Sequence, residues 1–195
     1  MIPRKRRRRN LIAVERGGRT FREPAGRFRP SHQARSALGV WACSRARADR
    51  SALMAWKSAA PYDPGQAVAF GQALAALIRR WSPVLPRDAI VTTPPPGASA
   101  ARGLPYAAAL IGEAAAAALG LRYATALARI GEKTRHGPWA AREQAAFEVL
   151  ALPDPRPSLV LVLDDAATSG RTMRLALEAL RGAGLMAFGF VFTGV

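Results

Sequence analysis

The chain has one cysteine, two histidines and no long apolar run, and each shortage excludes a class of protein. Cys43 alone cannot close an intrachain disulfide and excludes the paired-cysteine zinc modules. His32 and His136 leave little room for a histidine-based metal site. No segment reaches the ~18 uninterrupted apolar residues of a membrane span. The nearest approach, residues 106–121, is broken by Glu113. The basic start is followed only by Leu11-Ile12-Ala13-Val14, short of the ~7–15-residue apolar region of a secretory signal. These absences predict a soluble, cytoplasmic protein without a membrane partner.

Acidic residues are also scarce, 13 against 29 Lys+Arg, which gives a net charge of +16. The imbalance is local. Residues 1–50 hold 15 basic and 3 acidic side chains, net +12, whereas residues 51–195 hold 14 and 10, net +4. Residues 1–50 mix Arg, Gly, Pro and Ser without helical or strand period, so they read as a disordered basic N-terminal extension. Residues 51–195 are about one domain in size. The extension could grip nucleic acid by counterion release, could be an inert solvated tail, or could lie outside a product that starts at Met54, just before the patterned region.

From Asp63 the pattern becomes regular. Asp63-Pro64 is an N-cap followed by Pro at the first helical position. Val68, Phe70, Leu74, Leu77 and Ile78 then form a mostly apolar stripe up to Trp81. Residues 89–93 read as a short strand that Pro94-Pro95-Pro96-Gly97 ends abruptly. Residues 99–119 are Ala-rich and helical in propensity, interrupted early by Pro105 and capped by Gly120. A strand is expected over 123–130, then a polar loop over 131–138, a short helical piece over 139–144 and an extended one over 146–150. Residues 158–163 form a continuous apolar run, the mark of a strand buried on both faces. A helix over 172–180 and a strand over 187–195 close the chain. Alternating strands and helices predict an α/β fold, a doubly wound, mostly parallel sheet. Ligands of such sheets sit beyond the carboxyl ends of the strands, which points to 93–103, 131–138 and 164–172.

The last of these segments is the most informative. In Leu161-Val162-Leu163-Asp164-Asp165-Ala166-Ala167-Thr168-Ser169-Gly170-Arg171-Thr172, a buried strand ends in two carboxylates, then a small-residue loop, then a helix start. Hydroxyls and unpaired backbone N–H groups at the positive end of a helix make an anion cradle. The carboxylates suit hydroxyl donors, or Mg²⁺ through water, so the expected ligand is a sugar phosphate. A Walker A loop would need Gly at Asp165 and Lys at Arg171. No Gly-x-Gly-x-x-Gly opens a helix, which excludes the dinucleotide-binding fingerprint. The bland alternative is a capped helix whose Asp164 and Asp165 only satisfy turn donors.

This segment resembles the phosphoribosyl diphosphate (PRPP) signature of type I phosphoribosyltransferases, and the last 140 or so residues resemble the ComF-like branch. Asp88 to Pro94 followed by Arg102-Gly103 is similar to that branch's pyrophosphate-loop region, Gln144 ahead of Phe147 to its Gln…Phe stretch, and Lys57 to a Lys ahead of its first helix. The resemblance implies a phosphoribosyltransferase, Mg²⁺-assisted, that displaces pyrophosphate from C1 of PRPP, and a homodimer. It implies Asp164 and Asp165 on the ribose hydroxyls, as catalytic residues and as water-mediated Mg²⁺ partners. Ala167, Thr168, Ser169, Gly170, Arg171 and Thr172 would hold the 5′-phosphate. Thr93, Pro94 and Arg102 would lie around pyrophosphate, with Thr93-Pro94 a candidate cis bond. Lys133 and Arg135 would close over it on the mobile loop, beside His136, while Lys57 ahead of a helix reads as solvent-facing. The branch's four-cysteine zinc module is absent, Arg171 replaces a small residue, and no base-binding signature names the acceptor, a nucleobase being one option. A non-catalytic PRPP-fold module in DNA uptake or regulation is the alternative, as is a nucleic-acid binder driven by residues 1–50.

Overall fold

The computed structural model describes residues 11–16, 19–24, 40–44, 47–59, 62–96, 106–130, 146–167 and 170–194. Strands β1 (Leu11–Arg16) and β2 (Arg19–Pro24) pair as an antiparallel hairpin. Then follow β3 (Val40–Ser44), α1 (Arg47–Ser58), α2 (Pro64–Trp81), β4 (Ile90–Thr92), α3 (Ala107–Leu119) and β5 (Arg122–Tyr123). The chain continues through β6 (Leu127–Ile130), β7 (Ala146–Val149), β8 (Leu159–Ala167), α4 (Arg171–Gly182) and β9 (Met186–Gly194). Five strands make one sheet in the order β3-β9-β8-β4-β5, and every pairing in it is parallel. Strands β6 and β7 form a separate antiparallel pair.

The central strand shows why this sequence makes a two-sided sheet. Leu159, Leu161 and Leu163 of β8 point to one face and Val160 and Val162 to the other, all buried. A strand buried on both faces has no polar side to give to water, hence its unbroken apolar run. The first face packs under α1, α2 and α3 through Leu53, Trp56, Phe70, Leu74, Ile78 and Ile111. The second packs under α4 through Met173, Ala176, Leu177 and Leu180, with Leu127 of β6 and Phe147 of β7 beside them. Helices thus cover both faces.

Local chemistry sets the helix ends. Asp63 accepts a hydrogen bond from Gly65 N at 2.9 Å, and Pro64 begins α2. Gly120 ends α3 in the left-handed region, φ 72°. α2 and α3 approach closely because Gly71 has no side chain: a Cβ there would lie 2.6 Å from Ala114 Cβ and 2.7 Å from Ala115 N. At the amino ends of the strands, Asp88 accepts from Ser158 N and from Ser158 Oγ, both at 2.8 Å, and so ties the starts of β4 and β8 together.

Several expectations change. Residues 1–50 are not structureless throughout: β1, β2 and β3 lie in them, and β3 pairs in parallel with β9 as the edge of the main sheet. The apolar stretch at Val40, Trp41, Ala42 and Cys43 is enough for one edge strand, although arginines surround it. The single strand expected over 123–130 is two, β5 in the main sheet and β6 outside it, because the chain leaves β4 after Tyr123. Val68 is 45% exposed and does not belong to the buried stripe of α2, which runs through Ala67, Phe70, Gly71, Leu74, Ala75, Leu77 and Ile78. β8 does not stop at Leu163; Asp164 and Asp165 lie inside it. The cis bond is Asp154–Pro155, and Thr93–Pro94 is trans. The helical piece expected over 139–144, the loop over 131–138 and residues 99–105 lie outside the described residues.

Candidate functional site

The sheet order creates one place where adjacent connections diverge. From β4 the chain crosses through α3 to β5 on one side; from β8 it crosses through α4 to β9 on the other. Beyond the carboxyl ends of two such strands a crevice opens, the usual ligand position in open α/β sheets. The registers show its mouth. β8 pairs with β4 only as far as Val162, opposite Thr92, but pairs with β9 up to Ala167. Asp164 and Asp165 therefore sit where β8 still has a neighbour on one side and has lost it on the other.

Both carboxylates are buried, Asp164 at 8% and Asp165 at 4% exposure. Asp164 Oδ1 accepts from Asp165 N at 2.9 Å. Asp165 Oδ2 accepts from Lys57 Nζ at 2.6 Å. Lys57 stands in the last turn of α1, and α1 is anchored by Leu53 and Trp56 in the core of the first face. Two adjacent buried carboxylates repel each other, and an ionised carboxylate out of water needs a partner. Lys57 is that partner.

The neighbouring strand end is also organised. Thr92 and Thr93 are buried. Thr92 Oγ1 accepts from Ala126 N at 3.1 Å, and Thr93 Oγ1 lies 2.7 Å from Tyr123 Oη. Burial pushes the Tyr123 phenol up from its ordinary value, a trend its bond to Thr93 opposes and Glu113 reinforces. Gly112 of α3 leaves room for this pair: a Cβ there would lie 2.8 Å from Thr93 Cγ2 and 3.0 Å from Tyr123 Cε2. Pro94 and Pro95 follow, both buried, and Pro95 O accepts from Arg129 Nη2 at 3.3 Å.

Arg129 on β6 and Tyr106 ahead of α3 complete the polar wall. The Arg129 guanidinium lies over the Phe147 ring, 4.8 Å from its centroid. Its Nε is buried without a hydrogen-bond partner among the described residues. Burial lowers the Arg129 pKa, offset in part by Tyr106. Burial raises the Tyr106 phenol far above its ordinary value, and Asp164 and Asp165 add to the rise, so Tyr106 remains a neutral donor at physiological pH.

On the far side of the acids, Gly170 caps α4 in the left-handed region, φ 70°, and no side chain caps that end. Arg174 N bonds back to Gly170 O at 2.9 Å and closes the first turn of the helix. Ala167 is buried at the end of β8, and Gly170, Arg171 and Thr172 are half-buried at the start of α4. The structure thus brings together Asp164, Asp165, Ala167, Gly170, Arg171 and Thr172 on one strand–helix unit, with Thr93 and Pro94 on the adjacent strand end. Thr168, Ser169, Arg102, Lys133, Arg135 and His136 lie outside the described residues.

Lys57, expected to face solvent, instead reaches Asp165. Tyr106, Tyr123 and Arg129 escaped the sequence reading. An arginine inside the short apolar strand Leu127–Ile130 was a usable signal, since a charge there needs a reason; the tyrosines carried none. The carboxylate pair offers the hard oxygen donors that Mg²⁺ takes, directly or through its water shell, so the residues present fit a magnesium ion brought in with a diphosphate. No helix among the described residues is long and apolar enough to cross a membrane. No family model and no curated protein matches the chain.

Proposed function

We propose that the protein binds Mg²⁺–PRPP at the crevice between β4 and β8 and transfers its phosphoribosyl group to an acceptor. The observation that carries this reading is the buried Asp164–Asp165 pair at the divergence of β4 and β8, directly ahead of the left-handed Gly170 start of α4. Carboxylates accept hydrogen bonds from sugar hydroxyls, and helix-start N–H groups donate to a terminal phosphate. The two features stand on one continuous strand–loop–helix unit, as a ligand with a diol and a phosphate requires. The likeness of residues 161–172 to the PRPP signature of type I phosphoribosyltransferases supports the same ligand.

In this reading the bond from C1 of the ribose to diphosphate breaks, and its electron pair leaves with diphosphate. A nucleophile on the acceptor, such as a nucleobase nitrogen, forms the new bond to C1 and gives up its proton. Magnesium bound with the diphosphate supplies charge neutralisation for the leaving group. Asp164 and Asp165 orient the ribose and place negative charge near the cationic ring that develops. Thr93 and the buried Pro94-Pro95 turn shape the wall beside the leaving group. No cysteine or histidine nucleophile is needed, in keeping with a chain that has so few of either.

Calorimetry with Mg²⁺–PRPP tests the ligand. The wild-type protein should bind, and Asp164→Asn/Asp165→Asn should lose roughly 10–100-fold in affinity, the scale of one or two charge-assisted hydrogen bonds. A wild-type protein that does not bind PRPP overturns the assignment. Offering PRPP with a panel of nucleobases and following diphosphate tests the transfer. Binding with no release for any base would mark a non-catalytic sugar-phosphate module on the same site.

A further inference from the structure

Lys57 is absent from the strand–loop–helix unit that carries the phosphate and diol chemistry, yet it makes a short polar contact at the site. Its Nζ lies 2.6 Å from Asp165 Oδ2. It arrives from α1, an element distant in sequence from β8 and fixed independently by Leu53 and Trp56, which are almost wholly buried. The pair is lopsided: the Asp165 side chain is 6% exposed and that of Lys57 32%. The carboxylate is thus a buried group served by a lysine that still touches solvent, an arrangement that holds the acid in one orientation. There is also a charge argument. Asp164 and Asp165 alone present two negative charges to a ligand that is itself polyanionic, and like charges held close together repel.

We propose that Lys57 is a positioning residue: by clamping Oδ2 of Asp165 it fixes that carboxylate as the acceptor for one ribose hydroxyl. It also cancels one of the two carboxylate charges, so that a sugar phosphate can enter. This rests on the sugar-phosphate reading of the site and deepens it, because it assigns sugar selection to an ion pair between α1 and β8. Lys57 acts through Asp165, and a role confined to the ion pair's share of fold stability would leave sugar selection untouched.

The test measures calorimetric affinity for ribose 5-phosphate and for its 2-deoxy and 3-deoxy analogues. Wild-type protein should prefer ribose 5-phosphate over both analogues by roughly tenfold, one charge-assisted hydrogen bond each. Lys57→Met should erase the preference over one analogue while keeping it over the other, and Lys57→Arg should restore it. Asp165→Asn and the double variant Lys57→Met/Asp165→Asn should show the same selectivity as each other, because the lysine has no function once its carboxylate is gone. If thermal melts show that Lys57→Met does not fold, Lys57→Arg and the two Asp165 variants carry the test alone. Unchanged selectivity in Lys57→Met overturns the proposal, even where affinity for all three ligands falls together. A difference in selectivity between the double variant and Asp165→Asn overturns it as well. Wild-type protein that binds none of the three sugar phosphates overturns the underlying sugar-phosphate reading instead.

Discussion

Tyr123 and Asp88 guard the two ends of β4 with opposite chemistries. At the carboxyl end, Tyr123 Oη and Thr93 Oγ1 share a 2.7 Å hydrogen bond that fixes the Thr93 side chain. Tyr123→Phe removes one partner and leaves a buried hydroxyl unsatisfied, which costs about 1–3 kcal/mol. Denaturant unfolding should show a loss of that size, and affinity for PRPP should fall as Thr93 becomes free to turn. At the amino end, the two hydrogen bonds from Ser158 hold the Asp88 carboxyl below the usual carboxylate range. A carboxyl whose pKa is depressed on folding contributes stability above its unfolded value, about 3.9, and loses it as pH falls through the folded value. Asp88→Asn should therefore melt below wild type at neutral pH, with the gap closing as pH falls below about 3.9. A gap independent of pH would mean that the carboxylate charge is not what joins these strand starts. Asp88 lies at the end of the sheet away from the site, so PRPP affinity at neutral pH should be the same in both proteins.

Between elements, two glycines do different jobs. Gly71 lets α2 lie against Ala114 and Ala115 of α3, and an added methyl would meet both within 2.7 Å. Overpacking of this kind costs about 1–3 kcal/mol, so Gly71→Ala should lower the melting temperature while ligand affinity stays unchanged. Gly170 acts through its backbone: at φ 70° it begins α4 in a region that costs an L-residue roughly 1–2 kcal/mol. Gly170→Ala should cost stability and, if the proposed site holds PRPP, affinity together, because relief of the strain moves the helix start. The pair of variants separates a packing glycine from a site glycine by calorimetry alone. The site glycine was legible in the sequence, since it follows Asp164-Asp165 at a fixed distance and opens an amphipathic helix. Gly71 was not, because nothing in a run of Ala and Gly says which residue will face another helix. The same limit hid Lys57. A lysine in the last turn of a helix usually lies in solvent, and only the packing of Leu53 and Trp56 under α1 turns it toward β8. The buried strand β8 and the helix α2 were legible because their apolar pattern and caps are local. The division between β5 and β6 was not, because it depends on which neighbour each short segment pairs with.

For the whole molecule, the boundary between the basic segment and the folded domain decides how the charge of +12 in residues 1–50 can be tested. A chain that starts at Met54 would not simply shed a tail. It would lose β3, which pairs with β9 from Val40↔Gly189 to Ser44↔Thr193, and the first turns of α1. Leu53, fully buried, would go with them. One buried leucine contributes about 1.5–3 kcal/mol, and Val40 and Ala42 add to the loss. Against a total stability of about 5–15 kcal/mol, removal of a sheet edge and half a helix should leave a protein that aggregates or melts far below the full chain. A chain that starts at residue 37 keeps β3 and all of α1. It should melt with the full chain and bind PRPP equally well, since every described residue of the site follows it. Nucleic-acid binding should then separate the two proteins. Counterion release makes affinity fall steeply with salt, with a slope of roughly −0.9 per phosphate neutralised. A gripping function of the basic segment requires that slope in the full chain and its loss in the residue-37 chain. Equal DNA affinity in the two at every salt concentration would rule out a gripping function of the basic segment.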